Sequence, residues 1–431
     1  MPTVIVVGGG LAGMAATAAL AGAGYEVDLL EARPFLGGRA TSYVIPDGHG
    51  SGETIDNCQH ILLRCCVNLL DFYSRLGVAD EIEFHREFFF IEPGGRMSTF
   101  RAGILPKPFH FLESFVRMRY LSTRDKVALV RGLLALQFEH GRRKDLNDIT
   151  MEQWLLEKRQ PPRVVERFWR QVLVSAVNEE LDQMAAIHGF QVFWLGFLAS
   201  STSYEMGVPK SSLGNLYRAE MWQRIPKVRV HLKTPVESIT SKGLVAGGTT
   251  MQADFYVSSV PFERSEAMLG CAAPEFEHSP ITSVHLWFDR QITTLPHATL
   301  LDRTLQWMFN KDGGRYVQLV ISASRSLVRM DRNAILQLTL QELAEFFPTV
   351  STAKLERYHV VKELRATYSA RPGLVRPSAE TRFSNVFRAG DWAESGWPAT
   401  MEGAVRSGYL AAEAVTRAAG NPLQFVLPDI A

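Results

Sequence analysis

The sequence predicts an α/β fold in two domains, one built around a parallel sheet and the other, of α+β type, inserted into it. Three observations predict it. Residues 3–31 read strand, glycine turn, helix, strand, acid. Residues 386–415 repeat strand, glycine turn and helix near the other end of the chain. Between them lie long stretches of helical and alternating periodicity, and 431 residues exceed what one simple core accommodates.

In the N-terminal unit, TVIVV is a β-branched apolar run, as a strand buried on both faces requires. Gly8, Gly10 and Gly13 follow with G-x-G-x-x-G spacing. Gly8 permits a tight turn, Gly10 lets a pyrophosphate approach the backbone, and Gly13 lets helix and strand pack closely. An alanine-rich helix runs from Leu11 to Ala23 and stops at Gly24. Its first N–H groups, at Leu11 and Ala12 among others, offer the positive end of the helix dipole to phosphate. Glu26–Leu30 forms the second strand, and Glu31 after it can accept hydrogen bonds from a ribose. The unit is a Rossmann-like dinucleotide site.

The next segment, ARPFLGGRATSY, places Ala32 and Arg33 beside Glu31, then a second glycine turn with a cation, Gly37-Gly38-Arg39. Near the C-terminus, Gly390-Asp391 ends a strand, and Gly403-Ala404-Val405-Arg406-Ser407-Gly408 lies in the helix that follows. Together these segments resemble the flavin-binding amine oxidase and carotenoid desaturase superfamily. The resemblance implies FAD, held by a glutathione-reductase-like domain of the amine oxidase type. It also implies roles: Arg39 beside the diphosphate, Asp391 at the ribitol or diphosphate, the backbone near Val236 at the adenine, and the helix start at Thr400 and Met401 facing the flavin's pyrimidine edge.

Residues 1–90, 228–272 and 380–431 are assigned to the FAD-binding domain. In the middle segment Val230–Leu232, Val236–Ile239 and Phe255–Ser259 read as strands. Residues 91–227 and 273–379 are assigned to the substrate domain. Its helices are expected at Thr123–Glu139, Val164–Glu180 and Asn333–Phe346, and its strands at Ser283–Asp289 and Tyr316–Ser322. Its aromatic and aliphatic content suits a core or a pocket for a long hydrocarbon.

A net charge of +1 argues against nucleic-acid binding, which needs concentrated Lys and Arg. Four cysteines are too few for a disulfide framework and fit a reducing compartment. Val4–Ala23 lacks the basic start of a signal peptide and is interrupted by glycines. The nearest approach to a membrane span, Ile187–Ala199, has thirteen residues where ~20 are needed.

Residues 53–70, ETIDNCQHILLRCCVNLL, hold Cys58, His60, Cys65 and Cys66. Adjacent cysteines without a second pair do not give a zinc site, and C-x-x-C is absent, so neither a metal nor a redox pair is expected. Cys65 and Cys66 sit in an apolar run read as helical and as core. Asp56-Asn57-Cys58-Gln59-His60 resembles one branch of the superfamily, the squalene-associated desaturases or hydroxysqualene dehydroxylases. That resemblance implies reductive removal of an allylic hydroxyl from hydroxysqualene, in hopanoid or related triterpene biosynthesis. His60 is then the candidate acid, because an imidazole titrates near neutrality, with Asp56 and Gln59 orienting it or contacting flavin. It implies a long-chain triterpene substrate, a cytoplasmic protein peripheral on the inner face of the cell membrane, and association with upstream squalene-pathway synthases. The basic, aromatic segment 100–144 is the candidate membrane-facing part. A carotenoid-type desaturase running the redox step the other way is the alternative. An amine oxidase with Trp392 and Trp397 as an aromatic cage, and a non-catalytic prenyl escort, follow behind.

Overall fold

The computed structural model describes residues 1–46 and 52–430. Its first sheet contains β1 (Thr3–Val7), β2 (Glu26–Leu30), β3 (Val228–His231), β4 (Phe255–Ser258) and β5 (Val386–Arg388), in the order β3-β2-β1-β4-β5. All four pairings are parallel. Parallel strands are covered on both faces, and Val4, Val6, Val27 and Leu29 are fully buried.

Helix α1 (Leu11–Gly22) leaves the C-terminal end of β1, and helix α2 (Met401–Ala418) packs on it. The alanines of α1 serve this contact. A Cβ on Gly408 of α2 would lie 2.2 Å from Ala12 O, so the helices approach at backbone distance. Because β1 feeds β2 on one side and neighbours β4 on the other, the strand ends open at a topological switch point, where α/β sheets bind ligands.

The second sheet has seven strands, in the order 355–368, 278–288, 316–321, 307–312, 297–300, 88–91, 97–100. It is antiparallel except between 297–300 and 88–91. The helix Arg332–Phe346 packs in one core with this sheet, and a second core joins it to the helices of residues 123–198, with Trp154, Trp169, Phe190 and Phe193 at its centre.

The chain departs from the expected boundaries in four places. Phe88–Ile91 straddles the predicted boundary at 90 and pairs within the seven-stranded sheet. Leu213, Leu216, Tyr217 and Trp222, assigned to the inserted domain, pack in the core around α1. The expected helix Val164–Glu180 is interrupted by a π-helical turn, Val165–Arg170, and ends at Asn178 with φ 58°. The helix expected through ILLRCCVNLLDFY begins only at Val67, because Leu62–Leu63 pairs instead with Met206–Gly207.

Candidate active site

At the C-terminal ends of β1 and β2 lies a cleft of about 500 Å³. Gly8, Gly10, Leu11, Ala12, Glu31, Ala32, Arg33, Gly38, Arg39, Gln59, His60, Val236, Gly390, Asp391, Thr400 and Met401 all line it. The sequence separates them by up to 393 positions; the parallel sheet brings them together. Gly13 lies just behind the wall, where a Cβ would stand 2.0 Å from Gly8 O and 2.3 Å from Ser259 Oγ.

The two glycine turns are one structure. Gly37 N–H donates to Gly9 O at 2.8 Å, and Gly10 and Gly37 form a parallel bridge. The Glu31 carboxylate accepts Gly9 N–H at 2.6 Å and Arg33 N–H at 2.7 Å, so it also braces the loop. Helix α1 starts at Gly10 with no capping side chain and no acid in its first turn. Its free N–H groups and dipole therefore face the cleft unopposed. A Cβ on Gly10 would meet nothing closer than Gly38 Cα at 3.9 Å, so the space before it is open. This cradle fits a dinucleotide diphosphate. Arg39 spans the cleft, paired with Asp391 and donating to Ala366 O at 3.0 Å.

The Asp56–His60 stretch divides. Gln59 and His60 face the cleft; Asp56 does not. Asp56 accepts Ser42 Oγ–H at 2.6 Å and Leu213 N–H at 2.9 Å, with Lys311 Nζ at 3.4 Å. Its carboxylate is turned from the cleft to the start of the helix Leu213–Leu216, so it orients neither His60 nor a cofactor. Asn57 takes the orienting role: His60 Nε2 is 3.2 Å from Asn57 Oδ1. Because Asn57 Nδ2 donates to Arg39 O at 2.8 Å, its Oδ1 is the acceptor, and the bond calls for the proton on Nε2. The lone pair of Nδ1 is then left over. Burial pushes the His60 imidazole down to about 4, with Asp56 raising it and Arg39 and Lys311 lowering it. At neutral pH His60 is thus uncharged, whereas the acid expected from its ordinary pKa would need to carry a proton.

Sequence reasoning missed Lys311, whose Nζ donates to Gln59 Oε1 at 2.8 Å. Its place was not readable from the alternation of the strand WMFNKD, because a bulge between Asn310 and Asp312 interrupts the period at Lys311. Burial, with Asp56, pushes the Cys58 thiol up to about 12, so it is inert. Among the described residues no three His, Cys, Asp or Glu side chains could hold a metal ion.

A second cavity, of about 180 Å³, adjoins the first; Ile61, Ser175, Ala176, Trp307, Thr400 and Met401 line both. Phe88, Phe90, Phe100, Phe168 and Leu195 give it apolar walls. Cys65 and Cys66 line it as well, which gives them a place beyond the core role expected. Trp307 Nε1 donates to Ser175 Oγ at 2.8 Å and fixes the indole at the junction.

Residues 11–416 match the family described as flavin containing amine oxidoreductase. The chain belongs to this family. FAD is the cofactor, the glycine cradle fits its diphosphate, and the protein is a flavin-dependent oxidoreductase. Zeta-carotene desaturase of Synechocystis is 26% identical over 96% of each chain. A 15-cis-phytoene desaturase of an Oncidium hybrid is 27% identical over 96% of this chain and 78% of its own. Among solved structures, an oxidoreductase from Methanosarcina mazei superposes with TM-score 0.70 at 16% identity, covering 94% of this chain and 98% of the other. Cyclohexylamine oxidase of Brevibacterium oxydans gives 0.66 at 17% identity, covering 97% and 100%. These structural likenesses establish the fold.

In this flavin-containing oxidoreductase the two C-terminal tryptophans form no cage. Trp392 Nε1 donates to Val260 O at 3.1 Å and Trp397 Nε1 to Asp429 Oδ1 at 3.2 Å, and among the described residues no ring contact joins them.

Proposed function

We propose that this oxidoreductase acts on a long isoprenoid chain and that its redox step runs as desaturation. The observation that carries the substrate class is the aromatic and aliphatic cavity sharing a wall with the flavin cleft at Ser175, Ala176 and Trp307. Such a surface gains by burying hydrocarbon, and the carboxylate that lines it, Glu402, is already engaged by Asn68 Nδ2 and the Leu69 N–H. The desaturases of Synechocystis and Oncidium, similar over 96% of this chain, support the direction. So does the tautomer of His60.

Bound FAD supplies hydride transfer at its N5. Desaturation removes a hydride from one carbon of the chain and a proton from its neighbour, leaving the double bond. The lone pair on His60 Nδ1 is the acceptor available for that proton; Asn57 holds the ring in the required tautomer. The faces of Trp307 and Phe309, stacked with centroids 5.6 Å apart, stabilise positive charge developing on the chain.

A second reading, reductive dehydroxylation of hydroxysqualene to squalene, is favoured by one observation. The ammonium of Lys311, bonded to Gln59 behind the cleft wall, is a cationic group that a pure hydrocarbon substrate does not require. In that direction the chain gains a hydride, and the hydroxide it loses takes up a proton and leaves as water. The deciding experiment is anaerobic. Oxidised enzyme is mixed with phytoene, reduced enzyme with hydroxysqualene, and oxidised enzyme with primary amines. Desaturated phytoene supports the first reading and squalene the second; turnover of amines alone overturns both.

A further inference from the structure

We propose that Arg376 is a positioning residue for FAD: from outside the cleft it fixes the segment 391–397, whose two ends adjoin groups that face the cofactor. Arg376 acts in this way whichever substrate the enzyme takes.

Residues 391–397, DWAESGW, join β5 to α2 without forming helix or strand. Gly390 and Asp391 stand at one end, and Ala399, Thr400 and Met401 follow the other; all of these line the cleft. A segment outside any ladder must satisfy its backbone polar groups by other means. Here side chains do so. Arg376 Nη1 donates to Trp397 O at 2.6 Å and lies 3.3 Å from Ala393 O and 3.4 Å from Asp391 O. Arg406 Nε donates to Ser395 O at 3.2 Å, and Gln191 Nε2 to Gly396 O at 3.0 Å. The Glu394 N–H donates to Pro377 O, next to Arg376 in the chain, at 2.8 Å. One guanidinium thus meets the first and the last carbonyl of the segment and one between them.

Arg376 is itself held in place. Its side chain is only 6% exposed. Nη1 also donates to the Tyr368 hydroxyl at 2.9 Å, and Nη2 to Glu394 Oε1 at 3.0 Å. Tyr368 ends the strand 355–368 at the edge of the seven-stranded sheet, so the guanidinium ties that sheet to the cofactor-facing segment. Asp391 is gripped from two sides: Arg39 pairs with its carboxylate, and Arg376 reaches its carbonyl. Arg39 lines the cleft and Arg376 does not, so Arg376 acts on the cofactor only through the segment. The planar fork of a guanidinium meets several acceptors at fixed angles, which an ammonium does not. Trp397 and Gln191 also line the second cavity. Arg376 therefore sets the cofactor-facing groups relative to the chamber as well.

The test loads wild type, Arg376→Met and Arg376→Lys with FAD. Affinity is read from the flavin fluorescence that appears when the loaded enzyme is diluted, and stability from the melting temperature with and without excess FAD. Arg376→Met is expected to raise the Kd for FAD at least about tenfold, the equivalent of one hydrogen bond to a charged group. Arg376→Lys keeps the buried charge but loses the fork, and is expected to raise it at least about threefold. In both variants hydrogen exchange over residues 391–397 quickens, and excess FAD raises the melting temperature less than in wild type. Wild-type affinity in a folded Arg376→Met overturns the proposal. A melting temperature lowered alike with and without excess FAD, at unchanged Kd, also overturns it, because Arg376 would then brace the fold only. If Arg376→Met does not fold, wild-type affinity in Arg376→Lys overturns it instead.

Discussion

Gly10 and Gly13 stand three residues apart and have opposite tasks. A Cβ at Gly13 collides with Gly8 O and Ser259 Oγ inside the fold, whereas one at Gly10 enters open cleft. Gly10→Val is therefore expected to fold, with the melting temperature of the apo-protein unchanged, and to lose FAD. Gly13→Val is expected to destabilise the protein by more than about 4 kcal/mol, read by denaturant melts. Stoichiometric flavin in Gly10→Val would remove the diphosphate from this loop. His60 gives a second contrast. His60→Ala is expected to keep FAD and lose about 10²–10⁴-fold in turnover. Because its pKa is lowered to about 4, the neutral base persists well below pH 6.5, and the acid limb of kcat/KM should fall near pH 4. An acid limb at 6.5, or near-normal turnover, would return His60 to a structural role. The glycines, Glu31 and Arg39 were legible in sequence because local backbone geometry and spacing dictate them. Asp56, Asn57 and Lys311 were not, since their roles are set by partners far away in the chain: Leu213, Arg39 and Gln59 respectively.

The elements were legible where one periodicity rules a whole segment. Thr123–Glu139 runs as expected because Ser122 and Asp125 form a capping box at its start. Val164–Glu180 was not legible, because apolar spacing does not reveal a π-turn or a left-handed end. That end is latched from outside. Asn178 donates to Ser279 O at 3.0 Å and Thr367 Oγ1 at 2.9 Å, and accepts Ala323 N–H at 2.7 Å. Glu179, fully buried, pairs with Arg325 at 2.6 and 2.7 Å and accepts from Ser369. This latch holds the helix that carries Gln171, Ser175 and Ala176 against the seven-stranded sheet. Glu179→Ala is expected to cost about 1–3 kcal/mol, chiefly by leaving the buried Ser369 hydroxyl without its acceptor, since the Arg325 guanidinium is partly exposed to water. A melting temperature equal to wild type would show that packing alone positions the cavity wall.

At the scale of the molecule, the proposed isoprenoid substrate raises the question of how a water-insoluble chain would reach a buried cavity. Among the described residues no helix is long and apolar enough to cross a membrane. The segment 100–144, however, carries ten basic and three acidic residues. In its first part Ile104 is fully exposed, Phe109 61% and Val116 64%, with Leu105 and Leu112 beside them. Val127, Val130, Leu134 and Phe138 add an exposed stripe at helical spacing on Thr123–Glu139. A patch of this kind mixed with Arg117, Arg119, Arg124 and Arg131 matches an anionic bilayer surface, where each basic residue contributes about 1 kcal/mol. It also lies over the cavity: Phe111, on the inner side of this segment, stacks at 4.5 Å on Phe100, which lines the apolar chamber. Docking here would bring the chamber next to the hydrocarbon in which the proposed isoprenoid substrate would dissolve. In sedimentation at low salt, the enzyme is expected to pellet with vesicles of phosphatidylglycerol and phosphatidylcholine, to remain in the supernatant with phosphatidylcholine alone, and to be released by salt. Arg117→Glu/Arg119→Glu should weaken binding at least about tenfold through charge. Phe109→Glu/Val116→Glu should do so through lost insertion, both with flavin content unchanged. Equal recovery in the supernatant with and without anionic vesicles would leave this face merely solvated and require the substrate to arrive by another route.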